Sequence, residues 1–258
     1  MNTDAAAPDE LARPTKRTLH GVWAPQLRNR RDVDIYLPSS YPAGGHHPVI
    51  YMRDGQNLSD PSIAFAGTWQ LEDVLLELAS GGVEPIVVGV HNHEQRLFEY
   101  SPFPDDKHGG GYADAYLSFL IRTLKPRIDR AFRTRRVASQ TAIVGSSMGG
   151  LVSLYAWLRH PGVFGLAAVM SPALWFGRAR LFEFVEQSPL PMGRLYLDVG
   201  MAEGDSTLAD ARMLWTLLQD KATDSGAQIA YLEDPDGRHE EAAWGRRLAG
   251  ALQFSLAP

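Results

Sequence analysis

The spacing of apolar residues along this chain changes period repeatedly, and the changes mark out its elements. Residues 18–24 and 31–37 alternate or cluster β-favouring side chains around a turn at 26–30, which predicts an antiparallel opening pair. Residues 48–53 read as a buried strand stopped by Asp54-Gly55. Helical spacing follows at 69–79, then a dense Val/Ile strand at 84–90 and a long polar loop at 91–111. A helical pattern spans 112–132, where Pro126 should bend or end the regular part. Strands are expected at 141–144, 165–170, 194–199 and 228–232, with helices at 149–159, near 179–186, at 208–223 and at 240–254. Strands alternating with helices predict the α/β class, a mostly parallel sheet of about eight strands with helices on both faces. Residues 17–258 are expected to form one domain behind a flexible tail at 1–16, which is polar and rich in Ala and Pro.

In such a sheet the ligand crevice lies outside the carboxyl ends of the strands. That rule places Asp54-Gly55, the loop from His91, Ser147, Ser171, residues 200–205 and the loop before His239 along one rim.

Composition narrows the partners. The formal charge of -5 argues against nucleic acid and anionic membranes, which need a basic surface. The chain contains no cysteine, which removes disulfides, thiolate nucleophiles and cysteine-rich metal sites, and suits a cytoplasmic location. The N-terminus has neither the basic start nor the apolar stretch of a secretory signal, and no apolar run approaches membrane-spanning length. No metal or cofactor is expected, and the expected partner is a small-molecule ester. Oligomeric state is not legible.

The chemistry centres on Gly145-Ser-Ser-Met-Gly149, a G-x-S-x-G pattern between an apolar strand and a helix. The turn strains its central residue, Ser147, so neighbours must lack bulk, and glycines supply that. The helix behind it aims its first N–H groups at any anion formed there. A serine hydroxyl needs a base, and histidine suits that near neutral pH. Of eight histidines, His20, His46, His47 and His160 fall away from the rim, and His91, His93 and His108 precede Ser147. His239 follows the last strand, in the chain order Ser, acid, His. Glu203 and then Asp205 are the candidate acids, just past a strand end; Asp198 lies within that strand and Asp236 within its own loop. For the oxyanion, the Met148 N–H and the Gln56 N–H are the candidate donors. Arg96 could bind a polar or acidic substrate group, or pin the long loop through an ion pair. Trp69 and Trp175 could floor an apolar or aromatic acyl pocket.

With these residues assembled, the chain resembles the putative esterase family of α/β-hydrolases, related to esterase D, feruloyl esterases and enterochelin esterases. The resemblance runs from Arg31 to Phe254. It rests on Asp32-Val-Asp-Ile-Tyr-Leu-Pro38, Tyr51-Met-Arg-Asp-Gly-Gln-Asn57, Arg96-Leu-Phe-Glu-Tyr-Ser-Pro102, Gly145-Ser-Ser-Met-Gly-Gly-Leu151, Met170-Ser-Pro-Ala-Leu-Trp175 and His239 with Trp244. It implies an α/β-hydrolase fold and a serine hydrolase of carboxylic esters, with Ser147 as nucleophile and His239 as base. The Asp54-Gly55 turn would be the oxyanion loop, and Gly200-Met-Ala-Glu203 the acid loop. Three other readings stand beside the esterase: a siderophore trilactone esterase, an acyltransferase on the same fold, and a catalytically silent binding domain. A silent domain would lack the nucleophile or the base, and this sequence has both. A peptidase is a less expected reading, since no companion propeller or specificity domain is expected beside this one.

Overall fold

Alternate residues of the central strands supply two separate cores. Val49 and Tyr51 enter one apolar cluster while Ile50 and Met52 enter the other, as the two-residue period of a strand requires. A strand buried on both faces is apolar throughout, which is why these segments read as unbroken hydrophobic runs.

The structure is a computed structural model that describes residues 13–64, 67–223 and 225–256. Its main sheet contains β1 (Thr15–Ala24), β2 (Asn29–Leu37), β3 (Val49–Met52), β4 (Ile86–Val90), β7 (Thr141–Ser146), β8 (Leu166–Met170), β9 (Arg194–Gly200) and β10 (Gln228–Asp234). Their order is β1-β2-β4-β3-β7-β8-β9-β10. The opening pair is antiparallel, β2 joins β4 antiparallel, and every later pairing is parallel. One face is covered by α1 (Leu71–Ser80) and α8 (Glu241–Leu256). The other carries α3 (Ala113–Phe119), α4 (Lys125–Ala131), α5 (Met148–Arg159), α6 (Arg178–Gln187) and α7 (Asp205–Ala222). The expected eight-stranded α/β architecture is therefore present.

The expectations differ from the structure at three places. Residues 1–12 of the expected tail lie outside the described residues, while Thr15 and Lys16 belong to β1, opposite Leu37 and Tyr36. A sheet-edge strand keeps one face in solvent and so reads as polar. Here Lys16 pairs with the buried Asp34 at 3.0 Å. The long loop at 91–111 holds a short helix, α2 (Arg96–Glu99), and a hairpin of β5 (Pro104–Asp105) and β6 (Gly109–Gly110). The 112–132 helix continues through Pro126, with a π-turn at Leu120–Leu124 joining α3 to α4. Proline has no N–H to donate, and a widened turn ahead of it absorbs the missing bond.

α8 approaches the backbone of Trp69 closely. A Cβ on Gly245 would lie 2.6 Å from the Trp69 carbonyl oxygen, whereas a Cβ on the exposed Gly250 meets nothing within 4 Å. Helix propensity favours alanine over glycine by about 1 kcal/mol. Gly250→Ala is therefore expected to raise the denaturation midpoint, and Gly245→Ala to lower it despite the same propensity gain. Chemical denaturation of the two variants checks this pair of opposite signs.

Candidate active site

Four chain segments meet at the carboxyl ends of β3, β7, β9 and β10. Ser147 sits between β7 and α5 with φ 54° and ψ −122°, a conformation that costs a serine on the order of 1–3 kcal/mol. Hydrogen bonds on both sides hold it: its N–H donates to the Met170 carbonyl at 3.0 Å, and its carbonyl accepts from Leu151 and Ala173, each at 3.0 Å. The turn leaves no room for side chains beside it. A Cβ on Gly145 would meet the Gly149 carbonyl at 2.7 Å and Arg53 Cγ at 2.8 Å. The glycines that flag the motif in sequence are thus fixed by contact.

Ser147 Oγ lies 2.9 Å from His239 Nε2, and His239 Nδ1 lies 2.7 Å from Glu203 Oε2. The first of the two candidate acids is the one brought to the histidine. Asp205 is an exposed residue at the start of α7. Burial alone would push the Glu203 carboxyl up. Hydrogen bonds from His239, from the Ser171 hydroxyl and from the Gly200 N–H outweigh it and hold the group below its ordinary value. Glu203 is therefore ionised near neutral pH and accepts the Nδ1–H, which leaves Nε2 with a lone pair toward the serine. His239 precedes α8 rather than opening it. Its ring stands edge-on to Trp244 at 4.9 Å, and Trp244 packs on Trp69 at 5.8 Å.

Met148 opens α5, and Gln56 is the second residue of a single 3-10 turn at Gly55–Asn57. N–H groups in the first turn of a helix have no carbonyl partner within it, so both segments offer donors at the rim. The turn is seated tightly, because a Cβ on Gly55 would lie 2.5 Å from the backbone of Gly89. Asp54, just before it, takes a left-handed conformation with φ 53°. Arg96 grips Asp54 with Nε and Nη2, both at 2.7 Å, and Asn92 adds a third bond at 2.7 Å. Of the two roles considered for Arg96, the geometry shows the ion pair, made with Asp54. Glu99 turns inward to Arg31 and Asn29.

The cleft over these residues has a volume of about 790 Å³. Asp54, Gln56, Trp69, Asn92, His93, Arg96, Ser147, His239, Glu241 and Trp244 are among those that line it. Trp175 is not. It stands half-exposed against His108 and Phe176, which separates it from the substrate-binding position considered for it. Among the described residues no three His, Asp or Glu side chains cluster as a metal site, and no helix is long and apolar enough to cross a membrane.

Sequence reasoning put Ser171 on the rim and Asp198 in its strand without giving either a role, and it singled out neither Asn57 nor Arg247. Asn57 binds Glu241 at 2.9 Å, tying the 3-10 turn to α8. Ser171, Asp198 and Arg247 form a buried network beneath Glu203. A signal for the last two existed: an aspartate within an apolar strand, and an arginine one turn after Trp244 on an apolar helix face. Neither position tolerates an unpaired charge.

If Arg96 serves to hold the Asp54 turn, Arg96→Met lowers kcat roughly tenfold and leaves KM within about twofold, because a misplaced oxyanion donor costs transition-state rather than ground-state binding. Steady-state kinetics with p-nitrophenyl acetate separates this from direct substrate binding, which would raise KM instead.

A family model described as "Putative esterase" matches residues 24–255. The uncharacterized protein YbbA of Bacillus subtilis (strain 168) is 32% identical over 195 residues, 72% of this chain and 74% of that protein. The siderophore triacetylfusarinine C esterase of Aspergillus fumigatus is 27% identical over 179 residues, 64% of this chain but only 60% of the relative's length. Among solved structures, an IroE-like serine hydrolase from Shewanella oneidensis superposes with a TM-score of 0.74 at 22% identity, covering 93% of this chain and 80% of that one. The enterobactin esterase FES from Shigella flexneri superposes with a TM-score of 0.76 at 19% identity, covering 92% and 58%. At such identities the superpositions speak for the fold, which is that of the α/β-hydrolases. The match over residues 24–255 carries the larger conclusion: this chain belongs to the putative esterase family and is a carboxylic ester hydrolase.

Proposed function

We propose that the chain cleaves esters as a serine hydrolase, through an acyl-enzyme on Ser147. The observation that carries this reading is the unbroken line from Ser147 Oγ to His239 at 2.9 Å and from His239 to Glu203 at 2.7 Å. His239 Nε2 takes the hydroxyl proton as Ser147 Oγ attacks the ester carbonyl. The Met148 and Gln56 N–H groups hold the oxyanion while Glu203 stabilises the imidazolium. The imidazolium then gives its proton to the departing alkoxide, and the alcohol leaves. Water, deprotonated by the same histidine, attacks the acyl-enzyme, releases the acid and restores Ser147.

The cleft favours a bulky, polar ester. Its 790 Å³ exceeds what a short aliphatic ester fills, and carboxylates, amides, imidazoles and a guanidinium line it beside two tryptophans. Three curated relatives of the chain are named as siderophore or enterobactin esterases, which makes a polyfunctional siderophore ester the second reading. A cytoplasmic setting belongs to this proposal and rests on the cysteine-free composition.

A panel of p-nitrophenyl, aromatic, sugar-linked and siderophore esters tests the reading. Ser147→Ala and His239→Ala are expected to lower kcat at least about 10⁴-fold, and Glu203→Gln roughly 10- to 10³-fold, with Asp205→Asn within about twofold of the parent. A fluorophosphonate should add to a single tryptic peptide containing Ser147. Full turnover by Ser147→Ala, or label on another residue, overturns the proposal.

A further inference from the structure

We propose that Ser171 is a positioning residue for the triad acid, and that Trp244 and Arg247 direct it by occupying its lone pairs. The inference rests on Glu203 being that acid.

The direction of the Ser171–Glu203 bond follows from donor bookkeeping. A serine hydroxyl has one proton and two lone pairs. Trp244 Nε1 and Arg247 Nη2 each lie 3.0 Å from Ser171 Oγ, and both atoms can only donate. With both lone pairs taken, the single proton is left for Glu203 Oε1, the remaining partner of Ser171 Oγ. The same carboxylate oxygen accepts the Gly200 N–H at 2.9 Å. Oε1 is thereby occupied from two sides, and Oε2 faces His239 Nδ1. One buried hydroxyl thus fixes which carboxylate oxygen serves the histidine.

The donors are themselves held. Arg247 Nε and Nη2 bind the two carboxylate oxygens of Asp198 at 2.9 and 3.1 Å, and Nη1 binds Asp234 at 3.0 Å. Asp198 is fully buried, and its Oδ1 also accepts the Ser171 N–H at 3.0 Å. Ser171 itself is fully buried with φ 40°, a left-handed conformation that favours glycine. Serine is costly there for its backbone, and the hydroxyl is what the position gains. The charged groups facing Glu203 are His239 and Arg247 (Oε1 to Nη2 is 4.0 Å), with Asp198 and Asp234 reaching it through Arg247.

Ser171→Gly tests the role, since it removes the hydroxyl from a backbone that glycine fits; Ser171→Ala is its companion. The purified full chain is assayed on p-nitrophenyl acetate across roughly pH 5 to 9, where a catalytic histidine titrates. Both variants are expected to lose about tenfold in kcat with KM within about twofold. The acid limb of the kcat/KM profile should move up by about half a unit, because a carboxylate with one donor fewer is more basic and holds the imidazolium more firmly. In a Glu203→Gln background, Ser171→Gly should cost less than about twofold more, since its effect passes through the carboxylate. A limb that stays in place, or losses that multiply in the double variant, would make the role merely structural and overturn the proposal. Trp244→Phe keeps an aromatic ring beside Trp69 and His239 but removes one donor to Ser171. It is expected to move the limb the same way by less, and an unmoved limb overturns the proposal even where the Ser171 variants do not fold. Ser147→Ala runs alongside, and its activity decides the triad reading separately from the behaviour of Ser171.

Discussion

Ser147 occupies a backbone conformation that an L-residue rarely adopts, and much of the surrounding structure follows from holding it there. Its N–H is taken by Met170 at the end of β8, and its carbonyl by Leu151 in α5 and Ala173 after β8. The clearance needed around it explains Gly145, which has no space for a Cβ against Gly149 and Arg53, and favours Gly149, where a Cβ would press on Arg53 at 3.0 Å. The sheet order then places β3 on one side of β7 and β8 on the other. The Asp54 turn ends the first neighbour and Ser171 follows the second. Strain at one residue is thus spread over three backbone bonds, to the end of β8, to the residues after it and to α5, the ordinary way that a fold keeps an unfavourable backbone geometry in place.

The second constraint is electrostatic. The Asp198–Arg247 pair lies almost wholly out of water, where either charge alone would be costly. Burial pushes the Asp198 carboxyl up from its ordinary value, against the pull of the Arg247 guanidinium and the Ser171 N–H. The pair joins the middle of β9 to α8, and through Asp234 it also joins the end of β10. Those are the elements that present Glu203 and His239. Close glycine contacts tighten the same junction: a Cβ on Gly200 would lie 2.2 Å from the Gly237 carbonyl oxygen. The loops that carry Glu203 and His239 are therefore tied to each other and to α8, although neither residue lies within that helix.

The elbow, the candidate base and the succession of strands and helices along the chain were legible because each carries a local signature. Gly145-Ser-Ser-Met-Gly149 announces a tight strand-to-helix turn, and the strands bury both faces and so appear as continuous apolar runs. His239 emerged by elimination, since only one histidine follows the last strand. Glu203 ranked ahead of Asp205 on position alone, and the structure brings Glu203 to His239 while Asp205, two residues on, opens α7 at the surface. Trp175, considered together with Trp69 for an acyl pocket, is exposed, while Trp69 and Trp244, remote from each other in sequence, meet in the cleft.

The sequence by itself determined the α/β class and the rim at the strand ends, and it singled out Ser147 and His239 as candidates, since these depend on periodicity and on turn chemistry within a few residues. Only the tertiary structure decided that Arg96 holds Asp54, that Asn57 ties the turn at Gly55–Asn57 to α8, and that Ser171, Asp198 and Arg247 stand behind Glu203. These are pairings between residues 32 to 184 positions apart or between neighbouring loops whose side chains could face several ways. Nothing local to either partner specifies the other. The packing of α8 against the sheet brings Arg247 to Asp198 and Ser171, and Glu241 to Asn57.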